Sequence, residues 1–156
     1  MQRDQGERLT NPDGFSPHEP LRSNRQVEDA AVAFVIDQEV LEGRSAHDTR
    51  HRGAAGDLVS GDRVVEVKAF GTSARGQDLW LEVRQVEEAR ANPTHFWLYI
   101  VENLRQGDPA YFRLLRFGGE PLARLLDRAV EHRYFTVPFP VAVHDTAVIE
   151  QSQSPG

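Results

Sequence analysis

Residues 56–70 read GDLVSGDRVVEVKAF. A Gly-Asp pair (Gly61-Asp62) interrupts two apolar-rich runs, and such a pair is a signal for a tight hairpin turn. Residues 57–60 and 63–70 are therefore expected to pair as antiparallel strands. The period of two along the second strand puts Val65, Val67 and Ala69 on one face and Val64, Glu66, Lys68 and Phe70 on the other. Two opposite charges thus point the same way from a strand that is otherwise apolar. Lys68 is also the only lysine among eighteen basic residues; every other one is arginine.

The flanking sequence extends this hairpin into an α/β pattern. Upstream, VEDAAVAFVIDQEVLEG (27–43) spaces Val32, Val35, Ile36 and Val40 for a helix. Asn24 is placed as its N-cap and Gly43 as the glycine just past its end. Downstream, GTSARGQD (71–78) reads as a loop and LWLEV (79–83) as a short strand. RQVEEARAN (84–92) reads as a helix stopped by Pro93. THFWLYIVEN (94–103) is nearly continuous apolar sequence, as in a strand covered on both faces. AYFRLLRF (110–117) is expected to be a further strand, and PLARLLDRAVEHR (121–133) an amphipathic helix, for core packing or an interface. In YFTVPFPVAV (134–143), Pro138 and Pro140 demote the run to an edge or a loop. The alternation of helices and strands predicts an α/β fold, a mixed sheet with helices on its faces.

At 156 residues the chain fits one domain. Polar composition marks 1–24 and 149–156 as flexible tails around a folded body at 25–148. No run approaches the roughly 20 apolar residues of a membrane span, and no apolar leader is visible. With no cysteine, thiolate chemistry and disulfides are excluded, which suits a cytoplasmic location. The net charge of −6 weighs against nucleic-acid binding through bulk charge.

Antiparallel neighbours joined at Gly61-Asp62 bring Asp57 and Glu66 toward one end of the sheet. Two carboxylates without nearby cysteine fit a hard cation, Mg²⁺ or Mn²⁺, which takes carboxylates and keeps waters. Lys68 follows on the Glu66 face about 7 Å along the strand. A lysine there can help deprotonate a water, which arginine cannot. The plain alternative is a Glu-x-Lys ion pair worth ~0–1 kcal/mol. His47 and His51 are four apart, which on a helix would allow a metal pair, but their surroundings favour a strand or loop and a partly exposed polar stretch. Arg44, Arg50 and Arg52 are candidates for phosphate contact or for a solvated basic segment. Trp80, Phe96, Trp97 and Tyr99 are expected in the core.

The ordered set VEDAAV (27–32), AAGDLVS (54–60), VVEVKAF (64–70), LEVRQVEEA (81–89) and FWLYIVEN (96–103) resembles the NO VEIN C-terminal domain, also called DUF3883, within the PD-(D/E)xK nuclease superfamily. The resemblance covers about half of the chain. It implies a restriction-endonuclease-like core of order αβββαβ and a metal-dependent DNA nuclease, in defence or DNA repair. It further implies Asp57, Glu66 and Glu28 as metal ligands, Lys68 as the residue that positions or activates water, and Gln85 as a polar residue at the next helix start. Glu39 rivals Glu28, because eleven residues separate them by only about 20° around the helix and about 16 Å along it. Gly56 stands where the family carries proline, and Gln85 where glutamate is more usual. The alternative reading is a catalytically inactive module that binds DNA or a protein partner. A homodimer is expected by analogy with nucleases that cut both strands.

Overall fold

The hairpin forms as its turn chemistry requires. Strands β2 (Leu58–Ser60) and β3 (Arg63–Ala69) pair antiparallel across Gly61-Asp62, in the register Leu58↔Val65 and Ser60↔Arg63. Gly61 takes φ 57°, a positive value suited to a two-residue hairpin turn. The computed structural model describes residues 23–153, so most of the N-terminal segment expected as a tail lies outside the described residues. In chain order the other elements are α1 (Asn24–Leu41), β1 (Ala46–Asp48), α2 (Val83–Ala91), β4 (Phe96–Glu102), β5 (Arg113–Phe117), α3 (Gly119–Leu126) and α4 (Val141–Gln153). Two short 3-10 turns, Leu104–Gln106 and Pro109–Tyr111, join β4 to β5.

The five strands form one mixed sheet in the order β1-β2-β3-β4-β5. Only β3 and β4 run parallel, as the helical crossover through α2 demands. This is the α/β arrangement expected of a restriction-endonuclease-like core, a mixed sheet flanked by helices.

The period of two splits the core into two layers. On one face Leu58, Val65, Val67, Tyr99 and Val101 pack against Val27, Ala31, Val32 and Val35 of α1. On the other, Phe96 and Leu98 pack against Ala89 of α2 and Leu122 and Leu126 of α3, with Val64, Leu79 and Leu81 at the margin. β4 is the strand covered on both faces.

Several boundaries move for physical reasons. Ser23, not Asn24, caps α1: its hydroxyl accepts the Gln26 N–H at 3.1 Å while the Gln26 side chain accepts the Ser23 N–H. At the other end Gly43 (φ 84°) lets its own N–H reach the Val40 carbonyl and the Arg44 N–H reach the Glu39 carbonyl. Val40 is exposed, contrary to expectation, and Glu39 takes the buried position one turn beyond Val35. Residues 79–83 form no strand; their alternation buries Leu79 and Leu81 partly and leaves Trp80 77% exposed. Trp80 is therefore not a core residue, whereas Phe96 and Tyr99 are. The first residues of 110–117 turn in 3-10 form before β5 begins.

Helix α3 stops at Leu126 rather than at 133, because Leu122 and Leu126 are its only buried residues. Beyond it no described residue is buried, those of α4 included. Residues 149–153, expected in the C-terminal tail, are helical within α4. No described helix is long and apolar enough to cross a membrane.

Candidate metal centre

β2 begins only at Leu58, so the β3 edge beyond Val65 lacks a strand partner on that side. Asp57 fills that gap. Its backbone N–H donates to the Val65 carbonyl at 2.8 Å, one residue out of the hairpin register. Its side-chain Oδ2 accepts the Val67 N–H at 2.9 Å. Gly56 makes the bend possible: a Cβ there would stand 2.7 Å from the Val65 carbonyl oxygen. The chain therefore uses glycine where a side chain would collide with β3, and Thr49 Oγ1 donates to the Gly56 carbonyl at 3.0 Å.

Leu58 points into the α1 layer, so Asp57 turns to the opposite face, the face of Glu66. Glu66 is 4% exposed and Lys68 Nζ donates to its Oε1 at 3.1 Å. Its other oxygen, Oε2, is buried without a hydrogen-bond partner. Burial first, and the Asp57 charge second, raise the Glu66 carboxyl above its ordinary value. Lys68 and the Gln85 amide pull it back down. Gln85, buried at the start of α2, is oriented by its own helix: its Oε1 accepts the Glu82 N–H at 2.9 Å. Its amide N–H₂ group lies near enough to lower the Glu66 carboxyl but gives Oε2 no hydrogen bond.

Four of the five sequence-derived residues, Asp57, Glu66, Lys68 and Gln85, thus converge. Glu28 does not join them closely. It is exposed on α1, whose buried residues all pack on the other side of the sheet. Among the described residues, no group of three or more acidic or histidine side chains is gathered to hold a metal.

Glu39 is fully buried, and its oxygens are consumed elsewhere. Arg44 binds both of them, Arg116 Nη2 donates to Oε2 at 3.1 Å, and the Tyr99 hydroxyl donates to Oε1. Arg63 donates to the same tyrosine at 2.6 Å and stacks 3.9 Å over the Trp97 ring. Burial alone would raise the Glu39 carboxyl, but these donors prevail and hold it at about 2. This network gave one sequence signal, a glutamate one turn beyond Val35 on the buried stripe. Its arginine partners come from three separate segments.

The basic stretch is also engaged in ion pairs. Arg44 pairs with Glu39 and Glu42, and Arg50 with Asp48 and Asp29. His47 contacts Ser45, and His51 is exposed in a turn at φ 71°, so the two form no helical metal pair.

The residues present fit a small divalent cation. Glu66 Oε2 lacks a donor, Asp57 lies beside it, and Mg²⁺ is commonly held by one or two carboxylates plus water. Residues 27–114, more than half of the chain, match the family model described as Protein NO VEIN, C-terminal. No curated protein and no solved structure matches the chain.

Proposed function

The chain belongs to the NO VEIN C-terminal family, and from that premise we propose that it is a Mg²⁺- or Mn²⁺-dependent DNA nuclease of the PD-(D/E)xK type. One observation carries the reading: a buried glutamate oxygen without a donor, beside a second carboxylate and a lysine. A buried charge left unsatisfied costs free energy, and a site of this kind is built to be completed by a ligand.

In this reading Asp57 and Glu66 hold the cation. When bound, such an ion supplies Lewis acidity at a phosphoryl oxygen. The protein's own part is positional. The Val67 N–H fixes Asp57, Lys68 fixes Glu66 through Oε1, and the Lys68 side chain remains 23% accessible. Lys68 orients a water toward phosphorus; as the water oxygen bonds phosphorus its proton passes to solvent, and the expelled sugar oxygen is protonated by solvent. The planar guanidinium of arginine does not replace this compact point charge, which is the chemical reason for a lone lysine here. Glu28, on the far side of the sheet, acts at most through water.

The alternative is a module of the same fold that binds DNA or a protein partner without turnover. It is favoured by the meeting of two carboxylates where three were expected. Cleavage assays on single-stranded and duplex DNA separate the readings. The expected result is cleavage that requires Mg²⁺ or Mn²⁺ and disappears in Lys68→Ala and Lys68→Arg, both folded by circular dichroism. Cleavage unchanged by these substitutions would refute the site. Absence of both cleavage and calorimetric metal binding in the wild type would leave the binding module.

A further inference from the structure

Beside the metal centre, on the same sheet face, lies a cavity of about 340 Å³. Its position follows from the register. Lys68 pairs with Ile100 and Ile100 with Leu115, so the three side chains form one row across β3, β4 and β5. The next row carries Glu102 opposite Arg113. Ile100, Leu115, Glu102 and Arg113 all line the cavity, with Lys68 one strand away, about 5 Å at the backbone. The segment that follows β3 forms the other wall, through Ser73, Gln77 and Leu79.

The cavity combines apolar walls with one directed acceptor. Glu102 is 5% exposed. Its Oε2 accepts the Ser73 hydroxyl at 3.1 Å and the Ala74 N–H at 2.6 Å, which locks the loop and the carboxylate together. Its Oε1 stands 3.9 Å from Arg113 Nη1, beyond hydrogen-bonding distance. Ile100, Leu79 and Leu115 supply flat apolar contact on either side. Arg75 and Arg113 stand exposed at the rim, and Trp80, adjoining Leu79 in sequence, is largely exposed.

We infer that this cavity takes the base of an unpaired nucleotide next to the scissile phosphate, and that it prefers cytosine to thymine. A carboxylate accepts from the cytosine amino group and has no donor for the carbonyl that thymine presents in its place. Apolar walls sandwich the base, the exposed tryptophan stacks a neighbouring one, and the rim arginines meet the backbone. The inference rests on the nuclease reading for the direction of the strand past Lys68, but base binding in the cavity needs no metal.

Fluorescence anisotropy of labelled short oligo-dC and oligo-dT, titrated with the full chain in EDTA, tests it. Oligo-dC is expected to bind about tenfold tighter than oligo-dT. Leu115→Trp, which fills the cavity from an accessible edge strand, and Glu102→Gln, which keeps an acceptor for the loop, should each abolish that preference with circular dichroism unchanged. Equal binding of the two oligonucleotides, or a preference that survives both substitutions, overturns the inference even if Mg²⁺-dependent cleavage is found. A cytosine preference lost in both variants, without cleavage by the wild type, upholds the cavity and overturns the nuclease reading instead.

Discussion

Replacing Glu66 by glutamine separates a metal ligand from an ordinary ion pair. Glu66 is 4% exposed, with Lys68 at 3.1 Å and the Asp57 charge nearby. Because its carboxyl is raised, the folded protein holds that proton more tightly than the unfolded chain does. Metal-free stability therefore declines as pH rises from the ordinary glutamate value through the raised one, and the penalty is complete above it. Glutamine removes that penalty at the expense of the Lys68 pair, so the metal-free variant should melt at or above the wild type at neutral pH. A cation competes with the same proton, so its stabilisation of the wild type should grow across the same pH window. With ~10 mM Mg²⁺ and a Kd on the order of 1 mM, binding stabilises by about 1.4 kcal/mol. For a body of this size that is roughly 5 °C in Tm. Glu66→Gln should show none of this shift. Thermal melts by circular dichroism, in EDTA and in Mg²⁺, read both effects. An equal Mg²⁺ shift in the variant would refute Glu66 as a ligand. A metal-free variant destabilised by more than about 1 kcal/mol would show that the Lys68 pair is structural.

Three further outcomes follow from the geometry. Asp57→Asn keeps an acceptor for the Val67 N–H but loses the charge, so metal binding by calorimetry should vanish while stability stays within about 1 kcal/mol; Asp57→Ala should cost ~1–3 kcal/mol more in urea unfolding. Gly56→Ala should destabilise by about 1–3 kcal/mol in the same assay, because its Cβ would meet the Val65 carbonyl at 2.7 Å; a neutral result would mean that the bend relaxes freely. Glu39→Ala strips the shared partner from Arg44, Arg116 and Tyr99 and should cost about 3–5 kcal/mol. Since Glu39 is held at about 2 against an ordinary 4.5, its contribution is fully present above pH 4.5 and is lost as pH falls toward 2. An acid unfolding curve of Glu39→Ala parallel to that of the wild type would contradict this.

The candidate metal centre was legible in sequence where its residues are local. Asp57, Glu66 and Lys68 sit within one hairpin, and a period of two with a glycine turn fixes their shared face. Gln85 was placed by resemblance alone; in the structure its side chain caps α2 near Glu66. Glu28 was placed by resemblance, and the helical angle made Glu39 its rival; that angle says which residues share a face and not which side of a sheet the helix will cover. Trp80 was misjudged because alternation in an extended segment looks the same with or without a strand partner.

By itself the sequence determined the turn at Gly61-Asp62, the glycine stop of α1, the buried strand 96–102 and the Asp57, Glu66, Lys68 set. Each depends on backbone geometry and side-chain period over a few residues. Only the tertiary structure decided that α1 lies across the sheet from Glu66 and Lys68, and that Glu39 is enclosed by arginines from three segments. It alone also decided that β4 and β5 open a cavity beside Lys68. Those facts depend on sheet register and on the crossover through α2, which join residues far apart in the chain and leave no local mark in the sequence.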